Sequence, residues 1–297
     1  MPDPLKPSLF VSRLTDRAVL RISGDDRETF LDGLLTNSWA TKPAEGPLYA
    51  ALLTPQGKLL YDMIVVPHAS SLLLDVSTNH RDALTKRLSL YKLRAKVVID
   101  PQPDWEVVAL WGDLAGTELA AESGTARPFG QGILYADPRA PGLGARLMHP
   151  AGEALQIRPN AEPTLYRTMR VTEGIAEGPE IGDEKCYPLE ANFEPLHGVD
   201  FKKGCYVGQE LTARMKHRGG VRKRVIPVHA GCQLDLDHPI MAGDREIGQM
   251  LAVEGSRGLA LLRLDRLADA KGTPLMSGAS LLTLDWPAFL PPLEQLV

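Results

Sequence analysis

The sequence predicts an α+β protein: two successive α+β units followed by a small antiparallel β-barrel. Three observations predict it. Up to about residue 218, apolar runs of strand length alternate with stretches whose apolar residues recur at helical spacing. That pattern begins near Ala18 and begins again near Trp105. Beyond Gly219-Gly220 only short strand-like runs remain, separated by turn residues at roughly even spacing. The expected division is a region over 1–218, split at about 1–103 and 104–218, and a barrel over 219–297.

Taken in order, Ala18 to Ile22 reads as a strand, and Ser23-Gly24-Asp25-Asp26 supplies capping side chains for a helix carrying Phe30, Leu31, Leu34 and Leu35. Leu48–Leu53 and Leu59–Val66 flank the turn Thr54-Pro55-Gln56-Gly57 and read as a hairpin. Leu72–Val76 is a strand, His80–Tyr91 a helix with Ala83, Leu84 and Leu88 inward, and Val97–Ile99 a strand ended by Asp100-Pro101. In the second unit, Val107–Leu110, Ile133–Tyr135 and Ala145–Met148 are strands, while Leu114–Glu122 and Pro163–Glu173 are helices. Arg224–Val228, Pro239–Met241, Glu246–Ala252, Gly258–Leu264 and Ser280–Leu284 are the strands of the barrel.

The 44% hydrophobic and 24% charged fractions are those of a globular protein. A net charge of -4 argues against a dedicated nucleic-acid binder. No run approaches the roughly 18 apolar residues that span a bilayer, and Met1–Pro7 carries no signal-like apolar stretch. The expected location is the cytoplasm, or the mitochondrial matrix if a transit peptide has been removed. The three cysteines, Cys186, Cys205 and Cys232, form no Cys-x-x-Cys pair, which argues against a disulfide framework or a four-ligand zinc site.

The most informative stretch is Lys203-Gly204-Cys205-Tyr206-Val207-Gly208-Gln209-Glu210, preceded by Lys202. If Gly204 caps the following helix, Cys205 sits in its first turn. There the helix dipole and two adjacent ammonium groups favour the thiolate. A second feature is a run of six formal cations in eleven residues, Arg214, Lys216, Arg218, Arg222, Lys223 and Arg224. It suits an anionic ligand or an acidic partner, or is simply a solvated loop entering the barrel.

The octapeptide, with Ala213-Arg214 and Arg218-Gly219 after it, resembles the signature of the YgfZ proteins. These are relatives of the glycine-cleavage T-protein and of the mitochondrial iron–sulfur assembly factor. Gly24-Asp25 with Phe30-Leu31 and Leu35-Thr36-Asn37, Leu53 to Lys58 with Asp62, Tyr91 to Val97, and Arg170 with Gly174-Ile175 resemble further pieces of the family pattern. The resemblance implies a three-domain ring of two ferredoxin-like α+β subdomains and a C-terminal antiparallel β-barrel around a folate pocket. It also implies tetrahydrofolate, including polyglutamylated forms, as cofactor, and iron–sulfur client enzymes or assembly proteins as partners, with neither membrane nor nucleic acid expected. Cys205 is then the reactive thiol with Lys203 beside it, and Asn37, Asp62, Arg170, Tyr206, Gln209 and Glu210 are candidate folate-site residues. The T-protein's paired hairpin acids are replaced here by Tyr61-Asp62, and its pterin-binding Glu aligns with Thr172, next to Glu173. That puts aminomethyl transfer in doubt. Two other functions stay open: a folate-dependent one-carbon transferase, which turnover of an aminomethyl or formyl donor would reveal, and an RNA adaptor, which salt-sensitive RNA binding would reveal.

Overall fold

The first strand among the described residues does not join the sheet of its own neighbours. In a computed structural model that describes residues 9–39, 46–115, 117–118, 120–122, 124–153 and 157–296, β1 (Leu9–Arg13) pairs antiparallel with a strand about a hundred residues further on, matching Leu9 to Gly112 and Arg13 to Val108. The first sheet is instead formed by β2 (Arg17–Ser23), β3 (Leu48–Leu53), β4 (Leu59–His68), β5 (Ser71–Ser77) and β6 (Val98–Gln102), in the order β3-β4-β5-β2-β6. Its helices are α1 (Arg27–Asp32) and α2 (Arg81–Lys92). Alternation assigns the faces of the sheet. Leu20, Ile22, Met63, Val65, Leu72, Leu74 and Val76 point to α1 and α2 and bury Leu31, Leu84 and Leu88. Val19, Tyr49, Ile64, Val66 and Leu73 point the other way, into a core shared with the rest of the molecule.

The second sheet contains β7 (Trp105–Gly112), β8 (Ala126–Phe129), β9 (Gly132–Ala136) and β10 (Ala145–Pro150), with β1 at its edge, in the order β1-β7-β10-β9-β8. Val107, Ala109, Trp111, Tyr135 and Met148 face the shared core, and Val11, Val108, Leu110, Leu134 and Leu147 form a small cluster behind it. The helix expected over Leu114–Glu122 is not formed among the described residues. Thr117 donates its hydroxyl to the Leu114 carbonyl (2.7 Å), a local bond that competes with a helical ladder. Residues 116 and 119, which that helix would include, lie outside the described residues. Helix α3 (Pro163–Thr172) comes next, with Tyr166, Arg170 and Val171 buried.

After a long turn-rich segment come α4 (Gln209–Arg214), a π turn over Met215–Gly219, and the barrel. Strands β11 (Lys223–Ala230), β12 (Pro239–Ala242), β13 (Arg245–Glu254), β14 (Arg257–Arg263), β15 (Leu275–Ser277) and β16 (Ser280–Leu284) close in the order β11-β14-β13-β12-β15-β16, with α5 (Leu264–Asp269) inserted. Ile226, Val228, Ile240, Ile247 and Leu262 fill its interior. Val225, Leu251, Leu259 and Leu261 point outward and join the core shared by both sheets. The fold is therefore the expected α+β arrangement with a closed C-terminal barrel.

Candidate functional site

The segment carrying the cysteine is held from both sides. Upstream, Thr36 and Asn37 tie it to β3. The Thr36 hydroxyl donates to the Gly198 carbonyl (2.6 Å) and accepts from the Ala51 amide (2.9 Å), and the Thr36 carbonyl accepts from Asp200 (3.0 Å). Asn37 is buried, and its amide donates to the carbonyls of Tyr49 (2.7 Å) and His197 (2.6 Å) while its oxygen accepts from Ser38 (3.0 Å). Downstream, Gly208 has φ 81, and a Cβ there would stand 2.4 Å from the Thr54 carbonyl oxygen. A Cβ on Gly57 would in turn meet the Gly208 carbonyl at 3.1 Å. Only glycines allow the hairpin turn and the cysteine segment to approach this closely.

Between these anchors, Lys203 turns inward. Its side chain is 1% exposed, and its ammonium donates to the carbonyls of Asp32 (2.7 Å), Leu35 (2.7 Å) and Asn37 (3.0 Å), with the Asp32 carboxylate at 3.5 Å. Those carbonyls lie at and beyond the C-terminal end of α1, where the helix has no partners of its own. A lysine has three donors, and all three are used. Burial lowers the Lys203 pKa and Asp32 opposes that. The ammonium, expected beside the thiol, thus caps α1 and anchors the loop.

The expected helix start is corrected as well. Helix α4 begins at Gln209 with Gly208 as its N-cap, so Cys205 precedes the helix instead of lying in its first turn. The left-handed Gly208, pressed on Thr54, is what turns the chain into the helix. Cys205 is exposed, in irregular backbone between buried Lys203 and half-buried Tyr206. The Lys203 ammonium lies 5.1 Å from the centre of the Tyr206 ring, and burial pushes the Tyr206 phenol up to about 12. The Gln209 side chain accepts from the Tyr206 amide (3.3 Å), closing the loop, and Glu210 is exposed. Cys232 is also exposed. Cys186 is buried, and burial pushes its thiol up to about 12.

Asp62 and Arg170 belong to a different place. Asp62 is 2% exposed and accepts from the Gly178 amide (2.8 Å), so it is no solvated strand residue. Arg170 is buried and spends its guanidinium on the Ile175 carbonyl (2.6 Å) and on Glu180 (2.5 and 2.8 Å). It is therefore not a free cation for a folate tail. Both lie beside a buried ionic cluster. Glu177 takes Arg139 (2.6 Å), Arg146 (3.2 Å), Arg170 (3.3 Å) and Arg17 (3.8 Å), while Asp75 binds Arg17 and Arg146 (2.6 Å each) and the Tyr135 hydroxyl (2.8 Å). Asp137 pairs Arg139 at 2.7 Å. Burial alone would raise the Glu177 carboxyl, yet Arg170 and then Arg139, Arg17 and Arg146 hold it well below its ordinary value. Sequence reasoning missed this cluster. Its signal was a charge at an inward position of an otherwise apolar strand, Asp75 in β5 and Arg146 in β10. Nearby, the Tyr49 hydroxyl is buried without a hydrogen-bond partner among the described residues, on the sheet face that carries Asp62. Thr172 and Glu173, at the end of α3, are exposed.

The basic run does not form one patch. Arg224 is buried on the Leu189 carbonyl and the Asn192 side chain (3.1 Å each), and Lys216 is paired with Glu194. Arg214 and Arg222 line a cavity of about 300 Å³ with Tyr187, Glu190, Leu211 and Met215. The Arg218 side chain lies outside the described residues.

Residues 222–292 match the model of the C-terminal β-barrel domain of CAF17. The iron–sulfur cluster assembly factor IBA57 homolog of Neosartorya fischeri, a mitochondrial protein, is 34% identical over 87% of this chain and 71% of its own length. The mitochondrial assembly factors IBA57 of Mus musculus and Homo sapiens are 36% and 35% identical, each over 86% of this chain and 78% of theirs. The mitochondrial names of these relatives agree with the matrix alternative for location. The aminomethyltransferase T of the glycine cleavage system from Bartonella henselae superposes with a TM-score of 0.76 over 96% of this chain and 87% of that one, at 15% identity, which shows a shared fold. At this identity and coverage, the chain belongs to the family of the iron–sulfur cluster assembly factor IBA57.

Proposed function

We propose that the protein supports assembly or repair of iron–sulfur clusters in other proteins through the Cys205 thiol, and that it binds tetrahydrofolate. The observation that carries the first part is the exposed Cys205 on a loop locked at Lys203 and Gly208. A thiol presented outward on an anchored backbone is suited to reaction with, or ligation shared with, another molecule. A stable cluster normally needs about four protein ligands, so Cys205 acts with groups from a second molecule. The test is Cys205→Ser in cells lacking the native gene. The variant is expected to fold normally and to leave iron–sulfur enzymes inactive; full activity of those enzymes would refute the role.

Tetrahydrofolate is supported by the T-protein-like fold and by the unpartnered Tyr49 hydroxyl, a buried polar group that a ligand's polar edge would satisfy. Asn37, Asp62 and Arg170 have bonds within the protein and shape the interior around such a ligand. Saturating tetrahydrofolate at about 100 times its Kd should raise stability by roughly 2.7 kcal/mol. Tyr49→Phe should keep the unliganded stability and reduce that gain. An unmoved melting temperature in the native protein would remove folate from the reading. Aminomethyl transfer is not part of it: Tyr61, which packs toward His80 on the helix side of the sheet, stands where the T-protein pattern has the other acid of its pair, and Asp62 is left alone.

A further inference from the structure

Helix α2 carries two stripes. Leu84 and Leu88 are buried, whereas Lys86 and Leu90 point outward, in line with Leu93 just past the helix end. Leu90 is 66% exposed, Leu93 88% and Val98, at the start of β6, 56%. These are three of the seven large apolar side chains exposed among the described residues, and one turn gathers them. That turn is closed by hydrogen bonds from Ala95 to Lys92 (2.8 Å) and from Val97 to Ala95 (2.9 Å). Leu93 adopts φ 45, ψ −108, a backbone state that favours glycine. A leucine held there is displayed to solvent at a conformational cost. Strand β6 is a sheet edge with β2 as its one neighbour. Around the apolar centre lie Lys86, Lys92, Arg94 and Lys96, and the sequence has no acid between residues 83 and 99. Asp25 approaches Lys96 at 3.9 Å.

Helix α1 connects this surface to the cysteine loop. At its start, the Asp26 carboxylate accepts from the Lys96 amide (2.8 Å). At its end, Lys203 caps the carbonyls of Asp32 and Leu35. Six residues of α-helix span about 9 Å, far less than the width of a protein interface of about 800 Å² per partner.

We propose that the α2–β6 turn is the docking surface for an acidic partner protein of iron–sulfur assembly. The partner seats apolar side chains on Leu90, Leu93 and Val98, sets carboxylates against Lys86, Lys92 and Arg94, and is thereby brought to Cys205. The inference rests on the reading that Cys205 acts together with a second molecule.

The test places a benzophenone amino acid at position 93 of the full chain in cells, with position 281 of the barrel as an exposed control. The expected result is a crosslink specific to position 93. The crosslinked segment of the partner is acidic, and the product disappears with Arg94→Glu. Titration of the purified partner should then show binding at least tenfold weaker for Leu93→Gly and for Arg94→Glu, and weaker still as salt rises. Leu93→Gly should melt no lower than the native protein, because glycine suits that backbone, so lost binding cannot be ascribed to unfolding. A lipid adduct, a crosslink to a second copy, the same product at position 281, or unchanged binding by Leu93→Gly would each overturn the proposal. In cells, inactive iron–sulfur enzymes with Cys205→Ser but full activity with Leu93→Gly would sink the docking surface alone. Full activity with Cys205→Ser would sink the role of the thiol, and with it the reason for bringing a partner there.

Discussion

The three thiols differ in what surrounds them, and their chemistry should differ accordingly. Cys186 lies in the shared core with its thiol pushed up to about 12, so it is both inaccessible and protonated at neutral pH. Cys205 and Cys232 are exposed. Iodoacetamide at pH 7 should therefore label Cys205 and Cys232 in the native protein, and Cys186 only after denaturation; peptide mapping reads this directly. Early labelling at Cys186 would mean that the core opens readily. Lys203 is the other residue whose surroundings dictate an outcome. Lys203→Met keeps the side-chain length but leaves three carbonyls without donors. Hydrogen bonds to a charged group are worth about 1.5–3 kcal/mol, and a loss of about that size is expected in urea unfolding.

At the scale of elements, two motifs distant in sequence form one contact. The Thr54–Gly57 turn and the Gly208 N-cap of α4 approach through glycines, and this contact sets the position of the Cys205 loop. Gly208→Ala introduces a Cβ into a left-handed residue and against the Thr54 carbonyl oxygen. It should cost more than about 1 kcal/mol and impair iron–sulfur support even though Cys205 is intact. Gly204→Ala is the control: a Cβ there meets nothing within 4 Å and should be tolerated. Equal effects of the two substitutions would argue against the glycine contact as the anchor.

For the molecule as a whole, the decisive feature is a core shared by both sheets and the barrel exterior. The largest core takes residues from both sheets, from the segment after α3 and from the barrel exterior, and the Arg17–Asp75–Arg146–Glu177 cluster sits where the sheets meet. Glu177→Gln strands four arginines around a neutral group. Removing one member of a buried ionic set typically costs about 3–5 kcal/mol. The pH dependence has a definite sign. The Glu177 and Asp75 carboxyls are held below their ordinary values of 4.5 and 3.8. Their stabilisation is thus fully present above that range and is lost as pH falls through the lowered values. The stability gap between the native protein and Glu177→Gln should be constant near neutrality and shrink below about pH 4. A gap that stays unchanged down to pH 2 would contradict the ionic origin of the effect.

Much of this molecule is written in local pattern. The strands β2 to β6 and the barrel strands β11 to β14 and β16 are alternating or continuous apolar runs bounded by turn residues, so period and punctuation placed them, whereas the three-residue β15 was not expected. The octapeptide around Cys205 likewise singled out one of the two exposed thiols, because its residue order is distinctive. What local pattern could not contain is pairing between distant segments. Strand β1 crosses to the second sheet because its partner lies near residue 110. The helix expected over 114–122 gave way to a local Thr117 bond, a competition that apolar periodicity does not register. Lys203 reads in sequence as a charge beside a cysteine, yet the fold turns it inward, where the carbonyls at and beyond the end of α1 accept its three hydrogen bonds. Asp62 and Arg170 read as ligand-facing groups, and folding encloses them among opposite charges and amides. Sequence alone therefore determined most of the elements, the family and the candidate thiol. Tertiary structure decided which charges are free, because that depends on which buried donors and acceptors the fold brings within hydrogen-bonding distance.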